Sequence, residues 1–393
     1  MNTAVRAPLR ALLTSTLLAL GSSLPLAHAA AVPEAPALDL KAFALMDYAS
    51  GEIIAASNPD LRVAPASITK VLTSYVVFDE MRQGRMKDTD TVLISEKAWR
   101  QGIDSTESRM FIDVGSQVPL IDLLRGIIVQ SGNDATLALA EHVAGSETAF
   151  ATLMNQHAKR LGMANSHFAD ASGLPHPDHY TTARDLTILS RALIREFPEQ
   201  YKMFAEREFT WNKIRQPNRN LLLGRDPSVD GIKTGHTSEA GYCLLTSAQR
   251  DGRRLIAAVM GAKSWAYREQ ASLELLNYGF RFFETATLYG PDKPAETLRV
   301  YKGASEQVTI GTLEAVAISL PRGSTDKLQV TTQFDTPIVA PLSKGQVLGT
   351  ATVTLDGRTL KTVPLVAMSE VPAGGFFHRF FDTIRLWIAR LLN

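Results

Sequence analysis

The spacing of hydrophobic positions changes along the chain and predicts differently built regions. Within residues 42–54, apolar residues form two short blocks around Ser50-Gly51, which is typical of a β-hairpin. Pro65 then precedes a long apolar stretch over residues 67–81, and Gly84 follows it. Proline near the start and glycine after the end indicate a helix. Because its apolar residues cover more than one face, we expect this helix to be buried.

The pattern that follows predicts several helices and then strands. Helical spacing covers residues 134–143 and 147–161, and a further helix is expected over residues 183–195. Residues 227–263 return to three strand-like runs, and an amphipathic helix follows over residues 269–283. We therefore expect an α+β fold, with the first and last strands in one antiparallel sheet that is flanked by helices.

Beyond Gly290-Pro291 the pattern consists of short strands alone. The last two flank Asp356-Gly357, a strong signal for a two-residue hairpin turn. The expected strands cover residues 298–301, 307–310, 315–320, 328–334, 347–355 and 359–366. We therefore expect one domain over residues 30–288 and a small all-β domain over residues 289–370.

The last segment, residues 371–393, predicts an amphipathic helix over residues 376–392. Its apolar face is rich in phenylalanine, and its polar face carries Arg379, Arg385 and Arg390, which make it unsuited to span a bilayer. An aromatic face opposite a basic face suits the surface of a membrane. Docking on its own domain or on a partner protein is the alternative.

The first 29 residues have the pattern of a cleaved export signal. Arg6 and Arg10 precede the apolar residues 11–20, and Ala27-His28-Ala29 provides the small-x-small cleavage pattern. The apolar part is too short for a transmembrane anchor. The single cysteine, Cys243, lies among apolar residues of a predicted strand, so we expect a buried thiol and no internal disulfide.

Composition adds two limits to this picture. The 393 residues are 45% hydrophobic and 21% charged, which is globular composition with room for two or three domains. The formal net charge of +1 gives no basic excess of the kind that nucleic-acid binding requires, so no nucleic-acid partner is expected.

Three short motifs stand in one order along the first domain: Ser67-Ile68-Thr69-Lys70, Ser131-Gly132-Asn133 and Lys233-Thr234-Gly235. Each is weak alone, since Ser324-Thr325-Asp326-Lys327 also fits the first pattern, in a segment without helical spacing. Together they supply a serine nucleophile, two candidate bases and a cationic strand edge. This is the chemistry needed to form and break an acyl-enzyme.

The spacing explains how these residues could act together. Residues three apart share a helix face, so Ser67 and Lys70 are expected side by side. A serine hydroxyl needs a base, and a lysine can serve when burial and a second cation, here Lys233, lower its pKa. Ser131 could pass protons between the two lysines, and Asn133 could hold a substrate amide.

The third motif predicts a substrate-binding strand edge. Gly235 would let a substrate backbone approach the edge closely, while Thr234 and Lys233 reach the substrate carboxylate. The helix N-terminus at Ser67 would offer backbone N–H groups to the negative charge that develops on a reacting carbonyl.

With these motifs, the chain resembles the serine-type D-alanyl-D-alanine carboxypeptidases. These are low-molecular-mass penicillin-binding proteins of Gram-negative bacteria, and the resemblance is to the 5 and 6 type. It extends from about residue 38 to the C-terminus and includes residues 64–73, 131–135, 230–237 and 279–285. The resemblance implies a β-lactamase/transpeptidase-like domain with a helical subdomain, followed by the β-domain and a terminal amphipathic anchor.

The resemblance also implies a role for each site residue. Ser67 would be acylated by the carbonyl of the penultimate D-alanine, Lys70 would be the base, and Ser131 would relay protons. The backbone N–H groups of Ser67 and His236 would form the oxyanion hole. Arg268 would lie near the substrate carboxylate, with an exposed arginine on the last helix as the alternative. The implied substrate-binding residues are Asn133, Lys233, Thr234, Gly235, His236 and Arg268.

The expected activity follows from the same resemblance. The enzyme would remove the terminal D-alanine from peptidoglycan stem pentapeptides, contribute to cell wall biogenesis and cell shape, and bind penicillin, with β-lactams as inhibitors. No metal and no organic cofactor are expected. The expected location is the periplasm, at the outer face of the inner membrane, with residues 376–392 on the membrane surface. The oligomeric state is left open.

Other functions remain as alternatives. A penicillin-binding endopeptidase or a β-lactamase could use the same fold. However, no Glu-x-x-Leu-Asn pattern of the class A β-lactamases lies between Ser131 and Lys233, where Asp170 and Asp178 are the loop carboxylates considered. A zinc peptidase would need the pair in His176-Pro177-Asp178-His179, where proline disfavours the required helix. A non-enzymatic peptidoglycan-binding module would be indicated by loss of a motif residue, and none is lost.

Overall fold

A computed structural model of the protein describes residues 32–103 and 106–392. The predicted export signal, residues 1–29, lies outside the described residues. The first domain has the strands β1 (Ala42–Asp47), β2 (Ile53–Ser57), β3 (Thr91–Leu93), β4 (Gln117–Pro119), β5 (Glu208–Trp211), β6 (Ile214–Pro217), β7 (Val229–Thr237), β8 (Gly241–Arg250) and β9 (Arg253–Ala262). Its helices are α1 (Lys70–Arg82), α2 (Glu96–Arg100), α3 (Leu120–Arg125), α4 (Asn133–Ala144), α5 (Glu147–Leu161), α6 (Ala183–Glu196), α7 (Pro198–Tyr201), α8 (Leu222–Arg225) and α9 (Trp265–Phe282).

Side chains at the helix ends explain where several helices begin and stop. The hydroxyls of Ser146, Thr182 and Ser264 each accept the backbone N–H three residues further on, and so cap α5, α6 and α9. Gly145 and Gly162 adopt left-handed backbone conformations that end α4 and α5. These local signals fix the helices that surround the sheet.

A five-stranded antiparallel sheet forms the centre of the first domain, in the order β2-β1-β9-β8-β7. As predicted, the first and last strands are neighbours, with Ala44 opposite Ala258 in the β1–β9 pair. Successive residues of β9 serve two cores: Ala258 packs in the cluster shared with α1, α4 and α6, and Ala257 packs in the cluster shared with α9. The sheet is therefore buried on both faces, and β7 stands at its edge.

The second domain is built from β10 (Phe283–Tyr289), β11 (Glu296–Tyr301), β12 (Gln307–Gly311), β13 (Val316–Pro321), β14 (Leu328–Phe334), β15 (Ile338–Val339), β16 (Val347–Leu355) and β17 (Arg358–Ala367). Six strands form one sheet in the order β14-β16-β17-β12-β11-β15, and β10 pairs with β13. Apolar side chains such as Ile310 and Leu365 form a separate core. The predicted fold class, α+β followed by an all-β domain, is confirmed. The division at residues 288 and 289 stays a prediction, although β10 pairs with the β-domain from Phe283 onward.

Polar contacts tie the two domains together beside the end of α9. The guanidinium of Arg253, on β9, donates to Asp47 at 2.9 Å and to the carbonyl of Phe283, the first residue of β10, at 2.8 Å. Across the same junction, Glu52 accepts the backbone N–H of Ser319 at 2.8 Å. These partly buried hydrogen bonds join the two domains at this junction.

The last helix, α10 (Phe376–Leu392), covers the predicted range and rests on the β-domain through one acidic side chain. Asp382 is 1% exposed and accepts the backbone N–H of Lys302 at 2.6 Å. By contrast, Phe377 is 75% and Trp387 is 63% exposed. Across residues 32–103 and 106–392, no helix has both the length and the hydrophobicity needed to cross a bilayer.

Candidate active site

Ser67 lies in a tight turn that leads directly into α1. The turn Ala66–Thr69 is a 3-10 helix, so Ser67 precedes the α-helical part instead of lying within it. The Nζ atom of Lys70 is 3.1 Å from Ser67 Oγ and donates to the carbonyl oxygen of Ser172 at 2.7 Å. Lys70 is 1% exposed, so its amine is enclosed by protein and reaches the serine directly.

The environment of Lys70 suits a general base. Burial lowers the pKa of this lysine to about 7, and the charge of Arg219 acts in the same direction. The carboxylates of Asp170, Glu107 and Asp134 oppose this effect. A substantial fraction of Lys70 is therefore neutral near pH 7, where it can accept the proton of Ser67.

The Ser131-Gly132-Asn133 motif lies where a π-helical segment, Gly126–Gln130, meets α4. Ser131 has a left-handed backbone with φ of 67°, a conformation that is uncommon for a non-glycine residue. A Cβ atom at Gly132 would lie 2.8 Å from the backbone nitrogen of Met110, so only glycine allows this close packing. The local strain thus presents two polar side chains at one point.

Both polar side chains of this motif are buried at the candidate site. Asn133 Nδ2 donates to Glu107 at 2.6 Å, which orients the amide. Within the described part of the chain, Ser131 Oγ and Asn133 Oδ1 have no protein hydrogen-bond partner. Buried polar atoms are usually satisfied, so these two are positioned to bind groups that a substrate brings.

Lys233 and Thr234 lie on the edge strand β7, opposite this motif. Lys233 is 2% exposed, and burial lowers its pKa well below the usual value, with the charges of Lys70, Arg219 and Arg268 acting in the same direction. The charge of Lys70 therefore acts on Lys233, but the cation that lowers the pKa of Lys70 is Arg219, and the predicted effect of Lys233 on Lys70 stays a prediction. The structure adds Arg219, from the loop after β6, as a further cation that the sequence reasoning missed.

Gly235 packs against the nucleophile's own turn. A Cβ atom at this position would lie 2.9 Å from the carbonyl oxygen of Pro65 and 3.1 Å from Ile68. The expected reason for this glycine was the approach of a substrate backbone. That expectation stays a prediction, and the structure shows a further close contact, between β7 and the turn that carries Ser67, which the absence of a Cβ at Gly235 allows.

Arg268 is on α9, and its side chain extends to β7. It is 7% exposed, and its guanidinium donates to the carbonyl of Gly235 at 3.3 Å. Among the described residues, its Nε atom has no hydrogen-bond partner. The alternative of an exposed arginine is therefore wrong, because the side chain folds inward beside Tyr242.

A cleft of about 860 Å³ brings the motifs together. Of the predicted site residues, those that line the cleft are Ser67, Ser131, Asn133, Thr234, Gly235, His236 and Arg268. Lys70 and Lys233 are buried next to it. Glu107, Arg219 and Trp265 also line the cleft and were not predicted, because each is a single residue outside any spacing pattern.

The His- and Asp-rich loop over residues 163–182 has a structural role. His179 is buried and contacts Asp170 at 3.1 Å and Thr69 at 2.9 Å, whereas His176 is exposed. Across the described ranges, no group of three or more His, Cys, Asp or Glu side chains is arranged to hold a metal ion. The two histidines of the His-x-x-His pattern thus differ in surroundings and do not form a shared site.

Asp170 does not have the surroundings of a deacylating base. Burial acts to raise its pKa, but hydrogen bonding and charge from His179, with the N–H groups of Gly173 and Ser172, hold the pKa at about 2. Its carboxylate is therefore ionised and already bonded on both oxygens. It does not match the glutamate that a class A β-lactamase uses.

Taken together, a nucleophilic serine beside a buried lysine, an oriented amide and a cationic strand edge define a site for serine acyl transfer. The family model described as D-alanyl-D-alanine carboxypeptidase matches residues 29–264. The model of the penicillin-binding protein 5 C-terminal domain matches residues 283–373. The chain belongs to the D-alanyl-D-alanine carboxypeptidase family, as the motifs indicated.

Individual relatives agree with this assignment. D-alanyl-D-alanine carboxypeptidase DacC of Escherichia coli K12 is 45% identical over 357 residues, which is 90% of this chain and 89% of that protein. DacA from the same strain is 43% identical over 359 residues, with 90% and 89% covered. The crystal structure of penicillin-binding protein 5 from Haemophilus influenzae superposes with a TM-score of 0.81 at 42% identity, covering 86% of this chain and 99% of that one.

Proposed function

We propose that this protein is a serine D-alanyl-D-alanine carboxypeptidase that removes the terminal D-alanine from peptidoglycan stem pentapeptides and leaves tetrapeptides. The observation that carries the proposal is the 3.1 Å approach of Lys70 Nζ to Ser67 Oγ inside a cleft with a cationic end. The side chains of Lys233 and Arg268 are hydrogen-bond donors that suit a substrate ending in a free carboxylate. The relatives' names support the same reaction.

The first half of the reaction is acylation. The neutral Lys70 amine accepts the proton of Ser67, and Ser67 Oγ attacks the carbonyl carbon of the penultimate D-alanine. The backbone N–H groups of Ser67 and His236 are the proposed donors to the resulting oxyanion. Ser131 relays this proton from Lys70 to the departing nitrogen, the C–N bond breaks, and D-alanine leaves, so that Lys70 is neutral again.

The second half is hydrolysis of the acyl-enzyme. A water molecule attacks the ester carbon, and the neutral amine of Lys70 accepts its proton, directly or through the hydroxyl of Ser131. The ester bond to Ser67 then breaks, the Ser67 hydroxyl regains a proton, and the tetrapeptide leaves. No step requires a metal or an organic cofactor. A β-lactam that mimics the D-alanyl-D-alanine end would acylate Ser67 in the same way.

D-alanine release from diacetyl-Lys-D-Ala-D-Ala tests the proposal, with the wild type and the Ser67→Ala variant. We expect release by the wild type, no release by the variant, and inhibition by penicillin. Covalent penicillin binding without D-alanine release would favour the penicillin-binding endopeptidase. Rapid turnover of penicillin would favour the β-lactamase, although Asp170 is already occupied by backbone and His179 contacts.

The proposed location is the outer face of the inner membrane, with α10 on the membrane surface. Asp382 ties one side of α10 to the β-domain, while the phenylalanines and Trp387 are exposed. Arg379 and Arg390 lie on the same helix and are attracted to anionic lipid head groups. The β-domain would then act as a spacer between the membrane and the cleft.

Vesicle sedimentation tests the membrane proposal independently of catalysis. We expect the chain of residues 30–393 to bind vesicles containing anionic lipid, and a chain that ends at residue 370 to remain in solution. Both chains should react with penicillin at the same rate, because α10 contacts the β-domain and not the cleft. Vesicle binding by the shortened chain would contradict the proposed role of α10.

A further inference from the structure

Within the loop over residues 163–182, the part that contacts the amine of Lys70 is held in its conformation by one carboxylate, that of Asp170. Asp170 Oδ1 accepts the backbone N–H of Ser172 at 2.7 Å and that of Gly173 at 2.6 Å. It also accepts the Ser172 hydroxyl at 3.1 Å. These bonds turn the chain tightly and fix the direction of the Ser172 peptide group.

The same loop packs directly on the nucleophile's turn. Gly173 has φ of +87°, and a Cβ atom there would lie 1.9 Å from the carbonyl oxygen of Ala66. No other residue type fits this contact without displacing the backbone. The loop therefore rests on the residue that immediately precedes Ser67.

His179 links the carboxylate to the start of α1. Its Nδ1 atom lies 3.1 Å from Asp170 Oδ2, and its Nε2 atom lies 2.9 Å from the hydroxyl of Thr69, the residue before Lys70. The ring is buried and lies edge-on to Phe168. Asp170 and His179 thus hold the loop against the start of α1 through Thr69.

These contacts hold the carbonyl oxygen of Ser172 in place as a hydrogen-bond acceptor for Lys70. The Ser172 carbonyl accepts an N–H of the lysine at 2.7 Å, while Ser67 Oγ lies 3.1 Å from the same nitrogen. A neutral amine has two N–H bonds and one lone pair. When an N–H points to Ser172, the amine is held with its remaining positions facing the serine and the cleft.

From this geometry we infer that Asp170 and His179 are positioning residues for acylation, which act by holding the Ser172 carbonyl against the amine of Lys70. The inference rests on the proposed function, since it assigns Lys70 as the base. Neither residue touches the substrate or transfers a proton in the reaction. They act through the orientation of Lys70, and Asp170 acts also through its charge.

The charge of Asp170 gives this inference a signature in the pH profile. Burial lowers the pKa of Lys70, Arg219 acts in the same direction, and Asp170, Glu107 and Asp134 act in the opposite direction. Lys233 is the buried titratable amine on the facing strand. Loss of the Asp170 charge removes one raising influence, so the pH at which Lys70 becomes neutral falls. A role in folding alone would leave that pH unchanged.

The test compares acylation rates by a fluorescent penicillin between about pH 5 and pH 9, with full-length wild type, Asp170→Asn and His179→Ala. We expect the maximal rate to fall about 10- to 100-fold in both variants, because small displacements of reacting groups are costly. The acidic limb should move to lower pH in Asp170→Asn and less in His179→Ala, which keeps the carboxylate. The matched control is His176→Gln, in the exposed part of the same loop, with an expected wild-type profile.

Two outcomes would overturn the inference. The first is that Asp170→Asn is folded, as judged by its melting transition, and has the maximal acylation rate and the acidic limb of the pH profile of the wild type. If Asp170→Asn does not fold, the Thr69→Val variant is used, because it removes the hydroxyl that contacts His179. A folded Thr69→Val variant that is acylated at the wild-type rate would then overturn the inference. If the wild type itself is not acylated at Ser67, the proposed function fails instead, so the two failures are distinguishable.

Discussion

Lys70 Nζ lies 3.1 Å from Ser67 Oγ across the junction between the turn Ala66–Thr69 and α1. The change from a 3-10 turn to an α-helix places the two side chains on one side of the chain at hydrogen-bond distance. Because Lys70 is buried, its pKa is lowered to about 7 and the amine can act as a base near neutral pH. Nucleophile and base are thus set by four consecutive residues.

We predict that acylation by penicillin increases with pH through about pH 7 and then levels off. The reason is that only the neutral amine of Lys70 accepts the serine proton, and burial lowers its pKa to about 7. Lys70→Arg, which keeps the charge but cannot lose its proton, should lower the rate about 100- to 10,000-fold. Stopped-flow acylation rates measure both effects, and a profile with no acidic limb would contradict the assignment of Lys70.

Arg268→Gln should weaken recognition of a carboxylate-terminated peptide. Loss of a charge-assisted hydrogen bond corresponds to about 1.5–3 kcal/mol, or roughly a 10- to 100-fold increase in KM. A peptide with a C-terminal amide should be cleaved equally by variant and wild type. The control is Arg225→Gln, since Arg225 pairs with Glu269 nearby and is largely exposed. An equal loss on both peptides would show that Arg268 acts by supporting β7 through Gly235.

Gly235→Ala should separate β7 from the nucleophile's turn. The added Cβ would lie 2.9 Å from the Pro65 carbonyl oxygen, so either the strand or the turn must move. We expect at least a tenfold loss in acylation rate with the melting temperature lowered by only a few degrees, because the displacement falls on the site. Gly224→Ala, at a position with no positive φ and no atom within 4 Å of the added Cβ, controls for loss of a glycine. Wild-type acylation by Gly235→Ala would show that the contact is not required.

Asp382→Ala should release α10 from the β-domain without affecting the cleft. The substitution leaves the Lys302 N–H without its carboxylate and removes the charge that faces Arg385 at 3.2 Å, at a cost of about 1–3 kcal/mol. We expect faster amide hydrogen exchange in residues 376–392 and an unchanged penicillin acylation rate. Glu370→Ala, an exposed acidic residue just before the helix, is the control. Unchanged exchange in α10 would mean that Asp382 does not hold the helix.

The sequence predicted the fold well where hydrophobic periodicity and turn residues agreed. The range of α5 was predicted to the residue, and the strands β14 and β16 likewise, because each has a regular pattern bounded by polar turns. The short strands β3 and β15 were missed, since three or two residues carry no usable period. The 3-10 turn at Ser67 was also missed, because Ala66–Thr69 and α1 share one continuous apolar pattern.

The site was likewise predicted where the residues form a local motif and missed where they come together only in the tertiary structure. Ordered motifs identified the residues that line the cleft, because acyl transfer requires a few residue types at short spacings. Arg219 and Glu107 act on Lys70 across long separations in the chain, and such pairing leaves no local pattern. The burial of Arg268 and the packing role of Gly235 depend on how α9 and the nucleophile's turn meet β7, which only the tertiary structure reveals.

The most direct test of the central claim is to trap the acyl-enzyme and locate it. The wild type is mixed with a pentapeptide substrate, quenched within the first turnover, digested with trypsin and analysed by mass spectrometry. The account predicts that the tetrapeptidyl group is attached to the fragment of residues 63–70, at Ser67, with one D-alanine released for each modified chain. D-alanine release with no modification of that fragment, or release by Ser67→Ala, would contradict it.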